Sequence, residues 1–242
     1  MTSPALASAL RRVDAVFGGM TASDEGCPRC FTTEELALLA VPRAPLGDAL
    51  LLRFFHKVPD HFADHAATVR RLLPELFALI ASGRRSGVGY APTGLGRTAW
   101  RSWPREQVTA IEGFLDVWWR ETLADPAPPC GVGAVWELCV DMHRSLAPVH
   151  DVWAAAPRGG TEDRHLGDWV AYRIEDLLQD DVWILPQEVS ELLPELQAWL
   201  VEHAVDRLAG HPDPLLARKT ALLALGHEER WVAYFELVAS AG

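Results

Sequence analysis

Nowhere does the chain hold an uninterrupted apolar run approaching the ~20 residues of a membrane helix. Met1 to Gly19 place Arg11 and Arg12 behind their apolar residues and contain no signal-peptide core, so a cytoplasmic location is expected. Tyrosine is scarce, with three in the chain, and β-branched residues are few, which weighs against sheets. Positive charge is short too: 22 Lys and Arg face 33 Asp and Glu, a formal charge of −11. That balance argues against a general nucleic-acid binder, whose affinity comes from neutralising phosphates, and against docking on an anionic membrane. It suits solubility, or a basic partner. Four cysteines in a cytoplasmic chain are expected to be reduced. No G-x-S-x-G elbow is present for a serine hydrolase, and no Gly-Lys-Ser/Thr for a phosphate-binding loop.

What is present is Leu, Ala, Glu and Arg, in a chain of 242 residues that is 49% apolar, enough for a substantial helical core. Ser3, Pro4 and Gly18 frame a first helix whose stripe is Leu6, Leu10, Val13 and Phe17. Thr32 and Glu35 have capping-box spacing, with Phe31 and Leu36 placed as a staple. A helix over 47–57 should be buried through Leu51, Leu52, Phe54 and Phe55. The next starts at Asp60 or Asp64 and is expected to kink or divide at Pro74. Pro104 opens a long helix to about Leu123. Further helices are expected near 132–144, 147–155, 162–179, 187–208, 213–225 and 227–239, with Asp213-Pro214 as a start. The fold class is all-α, with about ten to twelve helices in an irregular bundle or a short stack of helix pairs.

A shift of 120 positions lays Leu46-Gly47-Asp48 on Leu166-Gly167-Asp168, Arg53 on Arg173 and Asp60 on Asp180. The same shift lays Leu72-Leu73-Pro74-Glu75-Leu76 on Leu192-Leu193-Pro194-Glu195-Leu196. One helical domain over 1–242 is expected, with pseudo-repeat halves 1–123 and 130–242 and a seam near 83–103 or 124–130. The stretch 83–103 carries five Gly with Arg84, Arg85, Arg97 and Arg101. It is expected to be a connector. Its other reading grips an anion or RNA backbone, with Trp100 and Trp103 stacking on bases.

The sharpest chemical pattern is Cys27-x2-Cys30 with His61-x3-His65. Two thiolates at that spacing chelate one side of a tetrahedral metal, and two His at i, i+4 share a helix face. About thirty residues part the pairs, beyond the spacing of zinc fingers. Two reduced cysteines in an unliganded loop are the commoner outcome of such a pattern. A redox role is the third reading, with Arg29 beside the thiols, although no βαβ pattern surrounds them. No cofactor is expected, and zinc is the one that the sequence allows, held by Cys27, Cys30, His61 and His65. Cys130 and Cys139 read as packing. Asp141, His143, His150 and Asp151, with His165 and Asp168, are types that serve acid–base chemistry, yet Asp and His near helix ends commonly cap. Trp118-Trp119 should leave one ring exposed, since neighbours on a helix face different ways.

Cys27-x-x-Cys30-Phe31-Thr32-Thr33-Glu34-Glu35-Leu36, Leu73-Pro74-Glu75-Leu76, His165-Leu166-Gly167-Asp168 and Trp199-Leu200 together resemble a family of uncharacterised bacterial proteins. That family carries an N-terminal CxxC segment and an LPE or LPR helix motif. The resemblance implies an all-helical fold and no established activity, hence no catalytic residues to carry over. Pro28-Arg29 fills the cysteine spacer here, and Glu75 stands where the family pattern has a base. The expected function is therefore a non-enzymatic helical protein that binds or regulates another protein. The alternatives are a structural Cys2His2 zinc protein and an enzyme with an unrecognised helical pocket.

Overall fold

The computed structural model describes residues 2–83, 96–185 and 187–240. Among them the fold is all-α: eleven α-helices joined by short 3-10 turns, no sheet, and one isolated antiparallel bridge between Gly26 and Phe62. No helix among them is long and apolar enough to cross a membrane. The chain packs as two units, Met1–Thr122 with Pro129–Met142, and Leu123–Pro128 with His143–Gly242.

In the first unit, α1 (Pro4–Phe17) starts on Ser3, whose hydroxyl accepts from the Leu6 N–H and donates to Glu121. Short α2 (Thr33–Ala37) carries the full capping box of Thr32 and Glu35. Gly47, at φ 67°, supplies the left-handed turn that enters α3 (Asp48–Phe55). Next, α4 (His65–Ala81) begins on the Asp64 cap and packs against α1 and α3. Pro74 sits inside α4 without dividing it. Leu72, Leu73, Leu76, Phe77, Leu79 and Ile80 are all buried around it, and that burial outweighs one lost backbone bond. Pro194 instead opens α9 (Leu193–Trp199), so the two Leu-Pro-Glu-Leu segments do different structural work.

The long α5 (Arg105–Ala124) stacks Phe114 on Phe77 at 4.0 Å and on Trp118 at 5.5 Å. Trp118 and Trp119 are 3% and 1% exposed, so α5 is covered on more than one face and neither ring reaches solvent. Helix α6 (Val132–His143) buries Cys139, and the Cys130 thiol donates to the Ile80 carbonyl at 3.2 Å. Of the Arg/Gly connector, Arg84 and Arg85 lie outside the described residues. Trp100 is buried and donates to the Met142 carbonyl, and Trp103 is buried beneath the Arg70 guanidinium at 4.1 Å. Neither tryptophan is free to stack on a base.

The second unit holds α7 (Ala147–Ala155), α8 (Thr161–Leu178), α9, α10 (Leu216–Ala221) and α11 (His227–Ala239). The helix expected over 187–208 is four pieces: a 3-10 stretch, α9, a π-helical turn at Leu200–Ala204 and a second 3-10 turn. Val189 leaves helical dihedrals, and Pro194 forces a fresh start. Likewise α10 starts at Leu216, because the Asp213 carboxylate accepts from the Leu215 N–H in a local turn.

Candidate metal centre

Two backbone segments of the first unit build the centre, the loop Gly26–Cys30 and the 3-10 turn Pro59–His61. They are tied as a short antiparallel pair: the Cys27 N–H donates to the His61 carbonyl at 2.9 Å, and the Ala63 N–H to Glu25 at 3.2 Å. Gly26 is required by the close approach. A Cβ there would meet Leu36 Cδ2 at 2.8 Å and the His61 carbonyl oxygen at 3.1 Å. Past Cys27 the chain winds tightly, with the N–H groups of Cys30 and Phe31 both donating to the Cys27 carbonyl at 3.1 Å.

Support comes from below and from the side. The Phe31 ring stacks on Phe54 at 4.5 Å and on Phe62 at 5.7 Å, joining both segments to α3. Arg53 of α3 donates to the Cys30 carbonyl at 2.5 Å and to both Glu35 oxygens at 2.6 and 3.0 Å. Glu35 meanwhile accepts from the Thr32 N–H. One capping box thus fixes the arginine that fixes the cysteine loop. Nothing in the linear pattern pointed to Arg53, whose partners lie 18 and 23 residues away.

The result is that one ligand atom each from Cys27, Cys30 and His61 lies within 4.8 Å of the others. Zinc–sulfur and zinc–nitrogen bonds of about 2.3 and 2.0–2.1 Å put tetrahedral donors roughly 3.5–3.8 Å apart. The group would tighten by at most about an ångström around such an ion. Its electrostatics suit a cation. The Cys27 thiol is held below its ordinary pKa, first by the Arg29 N–H donating to its sulfur, against the opposing effect of burial, and further by Cys30 and the Arg29 charge. The His61 Nδ1 atom is buried and has no hydrogen-bond partner.

His65 falls outside this group. The expected helix face does not exist, because His61 ends a 3-10 turn, Phe62 is extended, and α4 begins only at His65. The His65 ring packs instead on Phe62 at 5.9 Å, and burial, with the nearby Arg97 charge, pushes its pKa down. Among the described residues no fourth donor joins the three.

Among the described residues no three of the acid–base candidates bring donor atoms together as these three ligands do. Asp141 is buried against Gly96 in the first unit. In the second, His165 donates to the Asp125 carbonyl, while Asp151 and Asp168 are exposed. His150 is buried with its ring 4.2 Å from Trp199. Burial first, and then the neighbouring His203, lower its pKa from 6.5 to about 3. The folded protein therefore refuses a proton that the unfolded chain accepts near pH 6.5. This contribution to stability is complete above pH 6.5 and is lost at about 1.4 kcal/mol per unit as pH falls toward 3. Urea unfolding at pH 7, 6 and 5 should show a His150→Phe variant with a slope shallower by one proton. Parallel slopes would mean that His150 is not the group responsible.

Comparison of the chain with protein-family models, curated proteins and solved structures finds no match.

Proposed function

We propose that this is a zinc-binding protein whose ligands are Cys27, Cys30 and His61. The observation that carries the reading is the convergence of two thiols and an imidazole within 4.8 Å. Thiolate and imidazole donors together suit zinc among the common divalent ions. In this reading the ion's main role is structural: it staples the loop after α1 to the turn before α4, which two backbone hydrogen bonds and the Phe31 ring also join. Three protein ligands leave one tetrahedral position for water or for a donor brought by another molecule.

The test is elemental analysis of protein purified without chelator and without a nickel column, next to the Cys27→Ser/Cys30→Ser variant. Close to one zinc per chain is expected in the native protein and none in the variant. Native protein that takes up no zinc, even after reduction and dialysis against the ion, would end the reading.

A further inference from the structure

Large apolar side chains left in solvent lie mostly in the second unit. Among the described residues these are Val41, Tyr172, Trp183, Leu225, Val232, Phe235 and Val238, and all but Val41 belong to the second unit. Val232, Phe235 and Val238 are on α11 itself, the first two at 61% and 66% exposure. The inner side of α11 packs on α8, and an open cleft lined by Arg218, Leu222, Ala233 and Leu237 separates part of it from α10. Arg230 and Leu237 are buried, and Tyr234 donates to Glu175 of α8 at 3.2 Å. His227 and Arg230, one turn earlier on α11, bond Asp180 just past the end of α8. The two helices thus run antiparallel, with Tyr172 one turn before Glu175 and Trp183 three residues beyond Asp180.

Exposed Phe235 and Val238 continue half-buried Trp231 at i, i+4 and i+7, the spacing by which helices engage a groove or another helix. The Trp231, Tyr234 and Phe235 rings stand 5.5–5.8 Å from one another, so the aromatic surface is continuous. On α11 itself the exposed carboxylates outnumber the cations, while Arg173 of α8 and Arg218 and Lys219 of α10 stand at the edges. Glu228, Glu229, Glu236 and Glu175 are exposed, and Asp176 and Asp181 are half-buried nearby. The cation closest to them on α11, Arg230, is buried and already bound to Asp180.

We infer that the outer face of α11 is a docking surface for a basic amphipathic helix of another protein. The aromatic stripe takes the partner's apolar face, and the glutamate rows take its Lys and Arg. This assigns a surface and a partner chemistry to the protein-binding expectation, and it stands independently of the zinc site. A second copy fits poorly: the chain is formally −11, and pairing two α11 helices would set glutamate rows against each other. An anionic bilayer is disfavoured by the same charge.

The test titrates the whole protein with an eighteen-residue peptide of Leu and Lys in helical register, followed by calorimetry. Controls are the same peptide with Glu for Lys, anionic vesicles, and sedimentation of the protein alone. The Phe235→Ser change should weaken the Leu/Lys peptide about tenfold or more while leaving the helical circular dichroism unchanged, since the ring is exposed. Glu228→Gln/Glu229→Gln/Glu236→Gln should also weaken it and flatten its salt dependence. The proposal is overturned if Phe235→Ser binds as tightly as the native chain, or if the Leu/Glu peptide binds equally well. Self-association abolished by Phe235→Ser would overturn it in favour of a second copy, and vesicle binding abolished by that change in favour of a membrane.

Discussion

His61→Ala should strip the protein of zinc, while His65→Ala, four residues on, should leave zinc content unchanged. The asymmetry follows from where α4 starts. His61 closes the 3-10 turn with its Nδ1 buried and unpartnered, whereas His65 is the first residue of the helix, with its ring against Phe62. Losing an outer partner of a metal site typically costs 10- to 100-fold in affinity, and losing one of three direct ligands should exceed that. Competition with a chromophoric chelator reads the affinity directly. Cobalt substitution adds a second readout, because thiolate-to-cobalt absorption should persist in His65→Ala and collapse in His61→Ala. Equal zinc affinity in the two variants would remove His61 from the site. Lowering the pH should release the ion in both the native chain and His65→Ala, since protons compete for both thiolates and the imidazole.

Arg230→Leu should cost the second unit about 3 kcal/mol, the largest effect expected from a single change there. The residue is 4% exposed and gathers five acceptors from two stretches of the chain, 177–180 and 223–225. One terminal nitrogen donates to Asp180 at 2.6 Å and to the carbonyls of Leu177 and Leu178 at 3.3 Å. The other reaches the carbonyls of Leu225 at 3.0 Å and Leu223 at 3.5 Å. Leucine fills part of the volume and takes the guanidinium away from those carbonyls, of which that of Leu177 keeps the Gln197 amide at 2.9 Å. The figure stays at the low end for a broken buried pair because Asp180 keeps water, Gln197 at 2.7 Å and His227 at 2.8 Å. Although burial pushes the Asp180 pKa up, hydrogen bonds from Gln197, Arg230 and His227 outweigh it and hold the carboxyl below its ordinary value. Part of the stability conferred by Asp180 is therefore present at neutral pH and lost as pH falls through that lowered pKa. Chemical unfolding with hydrogen exchange on α8 and α11 checks the prediction, and a change under about 1 kcal/mol would contradict it. Arg230→Lys should recover little, since one ammonium cannot span acceptors that a planar guanidinium reaches from two nitrogens.

Helix starts were legible wherever local chemistry controls them. The caps at Ser3, Thr32 and Asp64 each satisfy amides within three residues, so a short window contains all the physics. The same locality misled at Pro74 and at 213–225. In the first, burial of α4 overrode a breaker, and in the second an Asp213 turn displaced a cap. The exposed side of Trp118-Trp119 was misjudged because a helix covered on several faces has no solvent side to predict.

By itself the sequence determined the all-helical class and named Cys27, Cys30, His61 and His65 as candidate ligands, because periodicity, capping and thiol spacing are local properties. Only the tertiary structure decided that Cys27, Cys30 and His61 meet and that His65 does not. That meeting depends on α2 and α3 folding the chain back so that Gly26 pairs with Phe62, and on Arg53 gripping the Cys30 carbonyl from 23 residues away. It also decided that the outer face of α11 leaves Val232, Phe235 and Val238 exposed beside Glu228, Glu229 and Glu236. A periodic pattern shows that a helix has an apolar face, but neighbouring helices settle which face is covered.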